Sequence, residues 1–507
     1  MTATWIDRAI SVLSPQTALR RMRARAAFEI MRRHYEGAAV GRRTQGWNRH
    51  SSDANAATGP YVGRLRDVAR DLVRNNPYAA SALNTIVNQT VGWGLVAKPA
   101  TPNPRAKAAW DAWANTTACD ADGRSDFAGL QKIVTRAMAQ DGEVLVRRRI
   151  RRPEDGLPIP LQIQVLEADF LDTSKHGITL PNGGRIVYGI EFDPIGRRAA
   201  YWLFPTHPGS DAWTTTASVR IPAEGVLHIY ELNRPGAARG ASWFGPIVLR
   251  MKDFDDFEDA TLMKQKIAAC LAVITSDVDG SAPPLGAADD TTSPGVDTLS
   301  PGSIINATPG RSVTVVDPPT VGEYADYTAA SLRSQAAGIG VAYEDFAGDY
   351  TDLPFSAAKM SRERIWSHIE DRRWRTLVPL FCDPVWAWAM ELAGVMGLTG
   401  DQVPVARWTA QPKPMIEPDK EGLAYQRNIR TGLMSLTEAL RELGYDPDEV
   451  FAEMADVNAL LDRLGLRLDS DGRYMTQAGQ LQGTALATAT PAQAPPTETP
   501  RAWGGRR

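Results

Sequence analysis

Between Trp243 and Ser276 the chain runs WFGPIVLRMKDFDDFEDATLMKQKIAACLAVITS, and this stretch limits the fold more than any other. Ile247, Met251, Phe254, Phe257, Ile267, Leu271 and Ile274 recur at near-helical spacing, while Lys252, Asp253, Asp255, Asp256, Glu258 and Asp259 fill positions between them. The spacing predicts an amphipathic helix. Over most of the stretch, at about 1.5 Å per residue, it would measure about 45 to 50 Å, the length of a strut between two bodies. Asp277, Asp279, Gly280, Pro283, Pro284, Gly286, Pro294 and Gly295 come next and would stop any helix. The same pattern also suits an ordinary surface helix with a solvated acidic face.

A chain of 507 residues with 43% hydrophobic residues can bury sizeable cores, and its length corresponds to about three or four domain equivalents. A formal charge of −3 argues against a protein that grips nucleic acid mainly by neutralising phosphates. The charge is unevenly spread: residues 1–70 hold 13 Arg, no Lys and 5 acids, an excess of +8. Cys119, Cys270 and Cys382 lie far apart with no CxxC, which fits a reduced compartment and small packing residues. The arginines from Arg20 to Arg25 interrupt the N-terminal region before any signal-type apolar core, so secretion is not expected. Val378 to Leu398 is the best membrane candidate, but Asp383 and Glu391 within it each cost about 2.5 to 3.5 kcal/mol near a span's centre. It reads as a buried or interface helix.

In chain order, residues 18–36 read as an arginine-rich helix followed by a polar connection. Val62 to Val91 reads as two helical pieces, broken at Asn75-Asn76-Pro77. Ala106 to Ala114 and Phe127 to Asp141 form a second helix pair. Residues 143–232 alternate as strands, beginning with EVLVRRRI. Beyond the acidic stretch, GSIINATPGRSVTVVDPPT reads as a protruding hairpin with a Thr-Pro-Gly-Arg turn. Helical pattern resumes at Tyr324 to Gly340, breaks over YEDFAGDYTDLPF, and restarts with Ser356 as N-cap; Pro379 and Pro384 should bend this last helix. Glu417 to Thr431 and Ser435 to Glu442 give a further helical pair. Beyond about Gln477 the Ala, Thr, Gln, Pro and Gly composition cannot bury enough apolar surface to order itself.

Chemistry is sparse. There is no GxxxxGK[ST] phosphate loop, so nucleotide hydrolysis of the common type has no backbone cradle. AAGIGVAYEDFAG follows a helix rather than a strand, the wrong context for a dinucleotide fingerprint. His34, His50, His176, His207, His228 and His368 show no HExxH spacing, and there is no GxSxG elbow. CDADGRSD fails as an EF-hand, because Ala118 and Gly129 fall at the first and last ligand positions. One arrangement could hold Mg²⁺ for a metal-dependent nuclease or another processing enzyme. On a helix Asp255, Glu258 and Asp259 share a face, as do Asp253 and Asp256. Two-metal nucleases draw ligands from several elements, and no other short acidic motif supplies the complement.

The segments ARDLVRNNPYA, VNQTVGWGL, DGEVLVRR, LQIQVLEADFLD, RIPAEGVLHIYELNRPGAARGASWFGPIV, DFDDFEDATLMKQKIAACLAVI and AAGIGVAYEDFAGDYTDLPFSAAK together resemble the lambda-type portal proteins of tailed bacteriophages. The resemblance extends over roughly residues 20–445 in matching order and spacing, and leaves out the N-terminal arm and the tail.

The resemblance implies an α+β portal fold and a non-enzymatic protein without cofactors that forms a dodecameric ring around a channel. Its parts would be an N-terminal basic arm (1–60), a wing (61–242), a first stem helix (243–276), a clip (277–320), a second stem helix (321–346), a tunnel loop (347–356), a long bent wing helix (357–398), a helical crown (399–470) and a disordered tail (471–507). Asp253, Asp256, Glu258, Asp259, Asp349, Tyr350, Asp352 and Leu353 would line the channel; Ser281, Pro284, Pro301 and Arg311 would dock partners. The implied partners are the terminase large subunit, a head-completion adaptor, the major capsid protein and scaffold, and double-stranded DNA passing without specific binding. No membrane is involved: the implied place is the virion's portal vertex, after assembly in the host cytoplasm. A ring multiplies each acid, and an acidic wall keeps DNA from sticking.

Overall fold

The Asn75-Asn76-Pro77 signal ends one helix and starts the next. The first helix spans Ala54–Asn75, earlier in onset than its apolar period predicts and running through Pro60. Asn76 then caps the helix Pro77–Val91, its side-chain oxygen accepting from the Ala79 N–H at 3.0 Å. The computed structural model describes residues 51–211, 217–269, 273–277, 311–315, 324–351, 354–399, 404–468 and 471–474, with side chains omitted at 267–269, 273–277 and 311–315. The arginine-rich N-terminal segment, Cys270, Ser281, Pro284, Pro301, Asp352, Leu353 and the tail from 475 lie outside the described residues. Contacts divide the chain after Ala57, and the sheets, cores and clusters all belong to the second unit, Thr58–Arg507.

The class is α+β. Strands β1 (Val96–Pro99), β2 (Glu143–Ile150), β3 (Leu161–Glu167), β4 (Ile178–Thr179), β5 (Arg185–Val187), β6 (Ile190–Phe192), β7 (Arg198–Leu203), β8 (Val219–Pro222) and β9 (Val226–Tyr230) precede the acidic helix; β10 (Val273–Asp277), β11 (Arg311–Val315) and β12 (Ala406–Thr409) follow it. They form antiparallel sheets in the orders β3-β2-β9, β4-β5-β6-β7-β8, β1-β12 and β10-β11.

The largest core lies where helices Pro104–Ala114, Phe127–Asp141 and Asp383–Val395 meet β1, β12 and one face of β3-β2-β9. Trp110, Trp113, Phe127, Phe381, Trp386 and Trp408 cluster there, with ring centroids of neighbouring pairs 4.7 to 6.4 Å apart. Buried indoles need acceptors: Trp113 donates to the Leu161 carbonyl at 2.8 Å, Trp386 to the Pro404 carbonyl at 2.6 Å, and Trp408 to Asp383 at 2.7 Å. Gly142 closes helix Phe127–Asp141 at φ 90°, where a Cβ would meet the Ala241 carbonyl carbon at 2.2 Å.

Several expectations need correction. The acidic helix spans Val248–Ala269, about 33 Å at 1.5 Å per residue, and Val273–Asp277 is a strand. The β-branched run Val273-Ile274-Thr275 favours extended backbone over another helical turn. The second run of the expected hairpin is strand β11, whose described partner is β10, with Asp277 opposite Arg311; the first run, 303–306, lies outside the described residues. A short helix, Tyr343–Ala347, interrupts the expected break. Pro354, not Ser356, precedes helix Phe355–Asp371, and over Arg372–Cys382 the helix widens to π geometry through Pro379, which has no N–H to donate. Ala406–Thr409, expected among helices, is a strand against β1, anchored by buried Trp408. The helices Pro418–Thr431, Leu436–Glu442 and Pro447–Leu464 fully bury only Ala439 and Pro447. Among the described residues, no helix is long and apolar enough to cross a membrane.

Candidate functional site

Ile247, Met251 and Phe254 are buried at helical spacing and turn one side of Val248–Ala269 into the body. Further along, Phe257 packs on Tyr324 and Tyr327 of the helix Tyr324–Ile339, with centroids 6.0 and 4.2 Å apart. Ile247 meets Gly338, and Arg250 approaches the Ser334 hydroxyl at 3.4 Å. Rising numbers on one helix meet falling numbers on the other, so the pair is antiparallel; strands β10 and β11, which in sequence follow the first helix and precede the second, also pair antiparallel.

The acids divide into two sets. Asp253, Asp256 and Asp259, at i, i+3 and i+6, are exposed, with Lys252 answering Asp256 at 3.2 Å. Asp255 and Glu258 are half-buried. Asp255 accepts from the Asn76 amide at 2.7 Å and Glu258 from the Tyr324 hydroxyl at 3.3 Å. Burial raises both carboxyls above their ordinary values, and the neighbouring acids add to it. Asp255 and Glu258 therefore tie the helix to its neighbours, while the other three present charge to solvent. Glu258, expected to line a channel, makes a contact between the two helices.

The connection after the pair is anchored as well. Asp345, in the helix Tyr343–Ala347, accepts from Gln89 at 2.8 Å and from the exposed Tyr350 hydroxyl at 2.7 Å; that bond, with partial burial, pushes the Tyr350 phenol up to about 12. Asp349 accepts from the Thr351 N–H at 3.1 Å, the Thr351 hydroxyl and the Tyr343 hydroxyl at 3.1 Å. Bonds from Thr351, followed by Tyr343, hold its carboxyl below the usual range. Residues 348–351 thus form a hydrogen-bonded turn that presents charge at a fixed place.

Among the described residues, the acids of 253–259 do not converge as a group of ligands; the convergent group is Glu167, Asp169 and His207. That position already holds a cation. Arg70 Nη2 lies 3.1 Å from Glu167, 2.9 Å from Asp169 and 2.5 Å from Asp141. The Asp120 loop, whose acids invite a calcium reading, uses the Asp120 carboxylate to accept from the N–H groups of Asp122, Arg124 and Ser125. It is a capped turn.

Sequence reasoning missed a fully buried charge network in the body. Glu143, fully buried at the start of β2, accepts from Arg239 Nε and Nη2, from His228 at 2.9 Å and from the Gly240 N–H at 3.1 Å, with Arg66 at 3.7 Å. Burial alone would lift this carboxyl, but Arg239 and His228 reverse that and hold it far below the ordinary range. The available signal was an acid set directly against an apolar run: Glu143 precedes Val144-Leu145-Val146. The network joins helix Ala54–Asn75, β2, β9 and the loop that feeds the acidic helix, and so fixes that helix against the body.

Known proteins are similar to this chain along most of its length. The family described as "Phage portal protein, lambda family" matches residues 40–373. Three phage proteins are similar over most of both chains. They are a probable portal protein of Halomonas phage phiHAP-1 (26% identical over 373 residues, 70% of each chain), the portal protein of Escherichia phage N15 (23% over 478 residues, 83% of this chain and 88% of the relative) and portal protein B of Escherichia phage lambda (24% over 399 residues, 67% and 70%). Among solved structures, a chain in the neck of a native gene transfer agent particle computed with C12 symmetry aligns at TM-score 0.46 and 16% identity, covering 75% of this chain and 94% of that one. A family match across more than half of the sequence settles the assignment: this chain belongs to the lambda family of phage portal proteins.

Proposed function

We propose that the protein assembles as a closed ring at one capsid vertex and forms the channel through which DNA is packaged and ejected. The observation that carries this reading is the division of acids on Val248–Ala269: Asp255 and Glu258 lock the helix to its neighbours, and Asp253, Asp256 and Asp259 stand on the exposed side. Repeated around a ring, those three give a wall that repels phosphates, so DNA slides instead of binding. Leu249, Leu262 and Met263 are also exposed on this helix. Apolar side chains interspersed with acids suit a helix packed between identical neighbours in a heterologous interface.

In this reading the helices Val248–Ala269 and Tyr324–Ile339 are the stem, residues 277–320 with β11 the clip, 347–356 the tunnel loop, 357–398 the long bent wing helix, and the three C-terminal helices most of the crown. The clip is the docking surface for the terminase large subunit and then the head-completion adaptor, while the wing meets capsid protein and scaffold. Energy for DNA movement comes from the terminase, and the portal is gate and docking ring. Native mass spectrometry and negative-stain microscopy of the purified chain test the ring directly: a single high-order species is expected, and only monomer or dimer across salt and concentration would sink it. Asp253→Asn, Asp256→Asn and Asp259→Asn together should preserve the ring and raise its DNA affinity at low salt.

A further inference from the structure

Strand β2 carries arginines at 147 and 149, and a third, Arg151, continues the ladder just past its end, where the Arg151 N–H donates to the Pro160 carbonyl at 2.9 Å. Alternate positions on a strand point to one face, about 6.5 to 7 Å apart. The three guanidiniums therefore line one face of the β3-β2-β9 sheet, with Gln164 opposite Arg147 and Gln162 opposite Arg149 on β3. All three arginines are half-buried.

No carboxylate among the described residues pairs with any of them. Arg151 donates to Gln162 Oε1 at 2.7 Å, and Gln164 Oε1 is buried with no hydrogen-bond partner. Burial lowers Arg147 from its ordinary value, and the charge beside it is Arg149, of the same sign. Several other arginines of this body are answered by acids, and the half-buried Arg198 and Arg372 instead meet the Tyr230 hydroxyl and the Trp243 ring. Arg148, on the opposite face, meets Glu391 at 2.9 Å and the Trp388 ring at 5.7 Å; Arg66 meets Asp169, Arg220 meets Glu191 and Arg239 meets Glu143. Like charges in neighbouring positions of one sheet face repel, so the row is electrostatically incomplete in a single copy.

We propose that this face docks an extended acidic peptide segment of another protein, whose carboxylates at alternate positions are each taken by one guanidinium. Charge complementarity selects an anion, and the strand repeat matches the side-chain repeat of a second extended chain. Arginine presents a planar fork suited to bidentate carboxylate contact. The half-burial of the row favours a thin strand, whose carboxylates reach into the surface, over a rigid duplex, which needs cations that stand out from it. All three arginines belong to one copy of the chain, so the binding face does not depend on ring formation.

The test is fluorescence polarisation with the full-length protein and three labelled probes: a (Glu-Thr) repeat peptide, the matching (Gln-Thr) peptide, and a short DNA duplex. The expected result is salt-sensitive binding of the Glu peptide, at least about tenfold weaker in Arg147→Gln/Arg149→Gln/Arg151→Gln, with little binding of the Gln peptide. Arg149→Gln alone should give an intermediate loss and serves if the triple variant fails to fold. Equal affinity of wild type and Arg149→Gln for the Glu peptide would overturn the proposal, as would no binding of that peptide at millimolar concentration. Tighter binding of the duplex through the same arginines would overturn it in favour of a nucleic-acid surface.

Discussion

Gly338 lies under Ile247 so closely that a Cβ at position 338 would come within 2.4 Å of Ile247 Cγ2. The contact sets how near the two antiparallel helices approach. Alanine is favoured over glycine in a helix interior by about 1 kcal/mol, but forcing a methyl into this space costs about 1 to 3 kcal/mol.

Gly338→Ala is therefore expected to lower thermal stability at fixed protein concentration, against the direction that helix propensity alone dictates. Combining it with Ile247→Ala should give a coupling energy above about 0.5 kcal/mol, because each change affects the same space. A Gly338→Ala protein that melts at or above wild type would show that the helices do not approach this closely.

Glu143→Gln removes the charge that answers Arg239 and His228 in a fully buried setting. Breaking such a pair costs about 3 to 5 kcal/mol, because the remaining cation is left without compensation. Urea unfolding at neutral pH should show that loss. The pH dependence has a defined sign. The Glu143 carboxyl is held below its unfolded value of about 4.3, so its stabilisation is present above that pH and lost as pH falls towards the folded value. His228, pushed below its ordinary value by burial against the pull of Glu143, acts in the same direction from about pH 6.5 downwards. Wild type should weaken in two stages on acidification, and the gap to Glu143→Gln should narrow only in the second.

Cys119 and Cys382 are buried, and burial pushes the Cys119 thiol up to about 12 and Cys382 well above its ordinary value. Since the thiolate is the reactive form, both should resist a thiol reagent in the native protein and react on unfolding. Peptide mapping after native labelling checks this site by site; prompt modification of Cys119 would contradict the packing around Trp113 and Phe127.

Local signals carried much of the fold. Phe127 to Asp141 and Glu143 to Ile150 were readable to the residue, because the Asp126 cap, the Gly142 stop and the run of β-formers are adjacent in sequence. Long-range pairing was not readable. Nothing near Ala406-Arg407-Trp408-Thr409 announces that it will pair with Val96–Pro99, some three hundred positions earlier. The acidic helix shows both cases. Its existence follows from period and charge, whereas its end at Ala269 depends on β10 finding β11. The split between tied and exposed acids depends on Asn76 and Tyr324, which sequence spacing does not place beside Asp255 and Glu258.

Asp349 offers the most direct test of the connection between the helix pair and the long helix after it. Asp349 is half-buried, and the donors that hold its carboxylate, Thr351 and Tyr343, are neutral, so the turn keeps its negative charge. In the proposed ring one such charge from each subunit would face the channel, where a cation would instead grip DNA. Asp349→Asn keeps an oxygen to accept from Thr351, with its amide N–H turned to donate to the Tyr343 hydroxyl oxygen, while removing the charge, and Asp349→Lys reverses it. Both should assemble like wild type by negative-stain microscopy. DNA affinity of the purified ring at low salt should rise from wild type to Asn to Lys, and every additional phosphate neutralised should steepen the slope of log affinity against log salt by about 0.9. Packaging should slow in the same order, since a grip on phosphates opposes translocation. If Asp349→Lys rings bind DNA with wild-type affinity and slope, residues 348–351 do not face the channel, and the tunnel-loop assignment of 347–356 is wrong.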